Sequence, residues 1–165
     1  MKIPLLIIGL GLVGQVFSQP TTSTIKFEND IILNGTVEPF IQSKHRYDTC
    51  DSGLGWKTIC LIDGQIWYGN DLGLRIPKNQ LTRLTLRINK NDISLDFSGM
   101  FNPSFGGGLT KEQFKLKATE DGYILYGHFS DGAGTYTTNW RIVKNKSIRQ
   151  TISRDERDFY WQLKK

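Results

Sequence analysis

Closely spaced turn signals near the C-terminus constrain the fold of this chain more than any other feature. Between Gln113 and Ser153, the turns Glu120-Asp121-Gly122, Asp131-Gly132-Ala133-Gly134 and Lys144-Asn145-Lys146 separate short segments rich in Tyr, Phe, Ile, Thr, Trp and Val. These residue types favour the pleated, half-buried surface of a β-sheet. The pattern therefore predicts an antiparallel meander, in which each strand pairs with the next.

The upstream part of the chain repeats this pattern of strands and turns. The segment 81–97 alternates apolar and polar residues on both sides of a four-residue turn at 89–92, and it is the clearest hairpin in the sequence. Tight turns are also predicted at Asn34-Gly35 and Asp63-Gly64, because these residues tolerate positive φ. Pro39 cannot donate a ladder hydrogen bond, so it indicates a sheet edge or a bulge.

Together these segments predict an all-β fold of roughly eight to ten antiparallel strands, a meander forming a barrel or a sandwich. The up-and-down order of the hairpins slightly favours the barrel. Ser153 precedes Glu156 at the spacing of a capping box, which predicts a short C-terminal helix over Arg154–Gln162, with a final strand as the alternative. No linker composition interrupts residues 19–165, so we expect a single β-rich domain there.

Residues 1–18 have the composition of a secretory signal peptide. Lys2 precedes an apolar run of about fifteen residues, and Val16 and Ser18 occupy the positions that a signal peptidase reads. Cleavage is therefore predicted before Gln19. A membrane anchor is less favoured, because a membrane-spanning helix needs about 20 apolar residues. The style of the segment is bacterial, so we expect an exported protein, periplasmic or secreted, with no membrane anchor.

Charge and motifs argue against several classes of ligand. The formal net charge is +5 and is spread along the chain, whereas nucleic-acid binding needs a clustered basic face. The glycine-rich run 106–111 lacks the residue order of a phosphate-binding loop. No calcium-loop or zinc spacing of ligands is present. The sequence thus predicts no cofactor, no metal and no nucleic-acid partner.

Two cysteines, Cys50 and Cys60, are separated by the segment DSGLGWKTI. An even cysteine count in an exported protein favours a disulfide over metal ligation or nucleophilic catalysis. Gly53 and Gly55 allow the enclosed loop to turn without steric conflict at Cβ. We therefore predict a Cys50–Cys60 disulfide.

Catalytic motifs are absent from the sequence. There is no Gly-x-Ser-x-Gly nucleophile elbow, and the two histidines, His45 and His128, have no marked triad partner. We interpret His128 as a strand position beside aromatic residues and His45 as a solvated side chain among charges. Enzymatic activity stays open, but the sequence favours a protein that is not an enzyme.

Aromatic residues on or near loops are the candidate binding residues, since Tyr and Trp are enriched at binding hot spots. The set includes Trp56, and Phe101 and Phe105 stand out because their glycine-rich surroundings should leave them exposed. Asp131 is also included, although its Asp-Gly turn explains it without a function. The predicted binding residues are Trp67, Tyr68, Asp71, Phe101, Phe105, Asp131 and Tyr136.

Three functions remain open from the sequence. The favoured one is a small exported module that binds another protein, as inhibitors and immunity-type proteins do when they neutralise a partner, because rigid β scaffolds commonly carry binding loops. The second is a carrier of a small ligand in a barrel cavity. The third is a hydrolase that acts outside the cytoplasm.

Overall fold

A computed structural model describes residues 19–70, 76–104, 106–130 and 132–159 of the chain. Strands dominate these residues, which confirms the predicted all-β class. The strands are β1 (Thr21–Lys26), β2 (Ile32–Pro39), β3 (Tyr47–Asp51), β4 (Lys57–Ile62), β5 (Gln65–Ile66), β6 (Asn79–Ile88), β7 (Asn91–Ser94), β8 (Phe114–Thr119), β9 (Gly122–Phe129), β10 (Tyr136–Val143) and β11 (Lys146–Ser153).

Two four-stranded antiparallel sheets form a sandwich. One has the order β1-β2-β6-β7 and the other the order β11-β10-β9-β8. The second sheet is the predicted C-terminal meander, with each strand paired to the next. Sheets stacked in this way bury their facing side chains and expose the alternate ones.

Alternation along the strands builds the main core. On β6, Leu84, Leu86 and Ile88 are buried as the sequence predicted, and Arg87 between them is exposed. The residues that complete this core from the meander include Leu125, Phe129, Tyr136, Trp140 and Ile142. Burial of this large apolar surface is the main force that holds the two sheets together.

The sheets are not closed into a barrel, so the slight preference for a barrel was wrong. At one side β7 lies beside β11, where Ser147 Oγ donates to the Ser94 carbonyl and Arg149 Nη1 donates to the Ser98 carbonyl at 2.7 Å. These contacts use side chains instead of a backbone ladder. At the other side, the chain between β7 and β8 passes along β1, where the Leu109 amide donates to Ser23 Oγ.

A smaller sheet, with the order β3-β4-β5, is inserted between β2 and β6. It has a core of its own, made by Phe40, Ile59, Ile62, Trp67 and Phe101. Strands β4 and β5 meet at the predicted Asp63-Gly64 turn, where both residues have positive φ. This small sheet was not foreseen as a separate layer.

The predicted turn at Asn34-Gly35 was wrong. Both residues lie inside β2, paired with Thr24 and Ser23 of β1, and the chain turns instead at Asn29-Asp30, where φ is 57° at each residue. Gly35 serves packing, because a Cβ at this position would lie 2.4 Å from Leu109 Cδ1.

The remaining local predictions concern the ends of strands. Pro39 ends β2 near a register shift between Thr36 and Val37, in agreement with the expected edge or bulge. The C-terminal helix is a four-residue 3-10 helix at Glu156–Phe159. No helix among the residues described is long and apolar enough to span a membrane.

Candidate functional site

The hairpin β3–β4 forms most of the small sheet and carries the disulfide. Cys50 and Cys60 are bonded, with 5.9 Å between their Cα atoms, which confirms the predicted pair. The register shifts between Asp48 and Thr49, so that Cys60 lies at a bulge in β4. The disulfide therefore links the two strands beside an irregularity that would otherwise weaken their pairing.

The hairpin tip, which we define as Ser52–Trp56, has an ordered backbone. The Ser52 amide donates to the Trp56 carbonyl at 2.9 Å and closes the turn. Within it, the Gly53 amide donates to Asp51 Oδ1 at 2.8 Å, and the Leu54 amide donates to Ser52 Oγ at 3.1 Å. Side chains that bond the backbone in this way fix the conformation of a turn.

Two glycines allow this conformation. Gly53 and Gly55 have φ values of 76° and 87°, which side chains with a Cβ adopt only with strain. A Cβ at either position would meet no atom within 4 Å, so the glycines are needed for backbone shape rather than for close packing. The tip therefore extends into open space.

Large apolar side chains lie exposed on this tip. Leu54 is 59% exposed and Trp56 is 50% exposed. Asp51 and Lys57, at the ends of the two strands, form a cross-strand pair and are also exposed. The result is an apolar tip on a polar stem, with a backbone held by a disulfide and by its own hydrogen bonds.

Four of the predicted binding residues meet inside the molecule instead. The ring centroids of Trp67 and Phe101 are 6.1 Å apart, and those of Tyr68 and Tyr136 are 5.8 Å apart. The Tyr136 hydroxyl donates to the Phe101 carbonyl at 3.1 Å. These contacts join the small sheet to the sandwich, so we interpret the four residues as a structural seam.

Burial of this seam corrects the expectation of exposed loop aromatics. Trp67 is 2% exposed, Phe101 is 8% exposed, and Tyr136 has no exposed surface. The burial of Tyr136 raises the pKa of its hydroxyl well above the usual value. Arg154 donates to the Trp67 carbonyl and lies 5.4 Å from the Tyr68 ring, which is partly buried. Direct contact of Trp67, Phe101 or Tyr136 with a partner would require the seam to open, whereas Tyr68 keeps some accessible surface.

Three predicted binding residues lie outside the residues described: Asp71, Phe105 and Asp131. Their roles stay predictions.

His45 is not the solvated side chain that the sequence suggested. Its ring stacks on Phe40 with 4.3 Å between centroids, and its Nδ1 lies 2.7 Å from Asp63 Oδ2. The Arg46 amide donates to Asp63 Oδ1 at 3.0 Å. Both hydrogen bonds lower the pKa of Asp63, and the one from His45 contributes more than the one from Arg46. The pair ties the start of β3 to the β4–β5 turn.

Low pH should weaken the interaction of Asp63 with His45 and Arg46. Because the pKa of Asp63 is lower in the folded chain than in the unfolded one, its stabilising contribution is present above about pH 4 and is lost as the pH falls through the folded pKa. We expect Asp63→Asn to lower the thermal midpoint at pH 7, and the difference from the wild type to shrink toward pH 3. Thermal unfolding followed across this range measures the effect, and a constant difference would contradict it.

His128 occupies a different environment, on the meander. Its ring lies 5.4 Å from Phe159, and burial lowers its pKa. This agrees with the interpretation of a strand position beside aromatic residues. Within the described part of the chain, no group of three or more His, Cys, Asp and Glu side chains is placed to hold a metal ion.

Comparison of the chain with protein-family models, with curated proteins and with solved structures finds no match. The candidate site therefore depends on geometry and chemistry alone.

Leu54 and Trp56 of the tip are not among the seven binding residues predicted from the sequence. Trp56 belonged to the initial aromatic set but was not retained, and Leu54 was not considered. A signal was present, because a short loop closed by a disulfide and containing two glycines has too little surrounding chain to bury both side chains. Enclosure by Cys50 and Cys60 therefore predicts exposed apolar side chains better than aromatic content does.

Proposed function

We propose that this protein is an exported module that binds another protein, and that the hairpin tip is its contact surface. The observation that carries the proposal is the exposure of Leu54 and Trp56 on a tip whose backbone is already ordered. Neighbouring exposed apolar side chains that are rimmed by polar residues often mark a site of protein–protein contact. Their position on a projecting loop favours a functional explanation.

The physics of binding supports the same surface. Tryptophan is among the residues most enriched at binding hot spots, where a few side chains supply most of the affinity. A loop held by the Cys50–Cys60 disulfide loses little conformational entropy on binding, so more of the contact energy appears as affinity. The polar residues Asp51 and Lys57 would then form the rim around the apolar contact.

The shape of the tip supports a partner with a concave surface. A narrow loop buries its side chains best in a cleft, and the active sites of enzymes are concave. This favours the inhibitor or immunity-type function over a binding role on a flat surface. The disulfide supports export, because such bonds persist in oxidising compartments.

The proposal is tested with the mature protein bearing a photoreactive amino acid at Lys57, which is exposed next to the apolar pair. After illumination in native extracts or cocultures, we expect one dominant crosslinked protein, identified by mass spectrometry. Affinity is then measured with that protein in purified form. Trp56→Ala should weaken binding by about 30-fold or more, as expected for a hot-spot residue.

A matched control uses Ile148, which lies on β11 of the sandwich and is 70% exposed. Ile148→Ala removes a comparable exposed apolar side chain far along the chain from the tip, and it should leave affinity unchanged. Equal binding by the wild type and by a Leu54→Ser, Trp56→Ser double variant would overturn the proposal.

A further inference from the structure

A second surface lies at the open side of the sandwich, where β1 and β8 do not pair. A groove of about 330 Å³ runs there between the β1–β2 turn and the strands β8 and β9. The apolar residues that line it are Phe27, Ile31, Phe114, Leu116 and Tyr123. Phe27, Leu116 and Tyr123 are only partly buried, so part of this apolar surface is accessible. Its volume is within the usual range for small-molecule sites.

One cation is held over the groove in a defined position. Lys111 Nζ lies 3.7 Å from the centroid of the Phe27 ring and donates to the Lys26 carbonyl at 2.8 Å. An ammonium group has more protons than this single acceptor uses, so it can also bind an anion. The 3-10 helix that carries Lys111 is fixed in turn, because Gln113 Nε2 donates to the Pro103 carbonyl at 2.7 Å.

Charge complementarity selects the ligand. Lys111 and Lys115 line the groove on the side of β8, and Glu28 lines it on the side of the turn. An anionic head group is attracted to the lysines, and an apolar tail can cover the aromatic and aliphatic surface between them and Glu28. A cationic head group would find Glu28 alone, opposed by the two lysines.

We propose that this groove binds a free anionic amphiphile, a carboxylate with a medium-length apolar tail, and that Lys111 holds its head group. The ligand is a dissolved monomer rather than a lipid in a bilayer. The turn beside the groove exposes Glu28, Asn29 and Asp30, and its carboxylates would be repelled by an anionic membrane surface. The site is independent of the hairpin tip, because the groove and the small sheet lie at opposite ends of β2.

The test uses decanoate below its micelle concentration, with decyltrimethylammonium as the cationic probe of equal tail length. Titration is followed by the amide signals of the labelled mature protein in NMR spectra. Decanoate should shift the signals of Phe27, Leu116 and Tyr123 until they saturate. The affinity of the cationic probe should be lower by about 10-fold or more, because it cannot make the charge-assisted hydrogen bond with Lys111.

Variants distinguish binding of the head group by Lys111 from non-specific hydrophobic binding. Lys111→Gln should weaken decanoate binding by about 10-fold, and Lys111→Arg should restore most of it. Lys90→Gln removes the same charge at the exposed β6–β7 turn and should have no effect. Unchanged dispersion of the remaining signals shows that each variant is folded.

Several results would overturn the proposal. These are equal binding of the two probes, an unchanged affinity of Lys111→Gln, and binding only to anionic phospholipid vesicles. The proposal would also be contradicted if an acidic extended peptide, but not decanoate, perturbed the backbone amide signals of β8. That outcome would indicate addition of a peptide strand at this sheet edge.

Discussion

Replacing Trp67 by Ala is expected to lower the free energy of unfolding by about 3–5 kcal/mol, the usual cost of truncating a buried Trp. Trp67 is 2% exposed and belongs to the five-residue core of the small sheet. Its indole Nε1 donates to the Ile59 carbonyl at 2.9 Å, so truncation also removes a buried hydrogen bond. Equilibrium denaturation with urea measures the change.

Two further variants give this experiment its controls. Trp56→Ala makes the same chemical change on the exposed tip and should alter the free energy of unfolding by no more than about 0.5 kcal/mol. Trp67→Phe keeps an aromatic ring beside Phe101 but loses the donor to Ile59, so its cost should lie between the two. Equal effects of Trp67→Ala and Trp56→Ala would contradict the described burial.

The loss of stability in Trp67→Ala should also differ between the two cores. Because the small sheet has its own core, Trp67→Ala should increase amide hydrogen exchange in β3, β4 and β5 more than in the meander. Trp140, which has no exposed surface, reports on the main core from β10 and provides the comparison. A uniform increase across both cores would mean that the two unfold as one unit.

Removal of the disulfide is the second change with a large expected effect. The double variant Cys50→Ser, Cys60→Ser should be less stable by about 3 kcal/mol, because the unfolded chain regains the entropy of an open loop. The sequence separation of the two cysteines is only 10, so the gain in entropy is confined to the hairpin. Urea denaturation of the oxidised wild type and of the variant measures the difference.

Reduction of the wild type provides an independent check. A thiol reductant should shift the wild-type denaturation midpoint toward that of the double variant and should leave the double variant itself unchanged. Under the proposed function, the variant should also bind the crosslinked partner more weakly, because Leu54 and Trp56 would have to be ordered on binding. A midpoint that does not respond to the reductant would show that the bond contributes no net stability.

Short-range patterns in the sequence predicted much of this fold. The alternation in the segment 81–97 identified the buried face of β6, which carries Leu84, Leu86 and Ile88. Each pattern depends on the two-residue period of a strand, so it requires no knowledge of the strand's neighbours. The disulfide was predictable for a related reason, because the two cysteines lie close together in the chain.

Long-range features escaped prediction. The choice between barrel and sandwich depends on whether the edge strands β7 and β11 pair through their backbones, and no local pattern encodes this. Likewise, Phe101 appeared exposed among glycines, but Trp67 and Phe40 approach it from distant parts of the chain and bury it. Gly35 was interpreted as a turn residue because its contact with Leu109 is also a long-range one.

The position of the small sheet has a consequence for how this molecule could be altered. Its two ends leave the sandwich as direct neighbours, since Pro39 pairs with Asn79 and the Phe40 amide donates to the Lys78 carbonyl at 3.0 Å. Residues 40–78 thus occupy the place of an ordinary hairpin loop, whose length adds little closure entropy. A different segment grafted between Pro39 and Asn79 should therefore keep the path of β2 and β6, provided that it also covers Phe101 and Tyr136, whose rings pack against Trp67 and Tyr68.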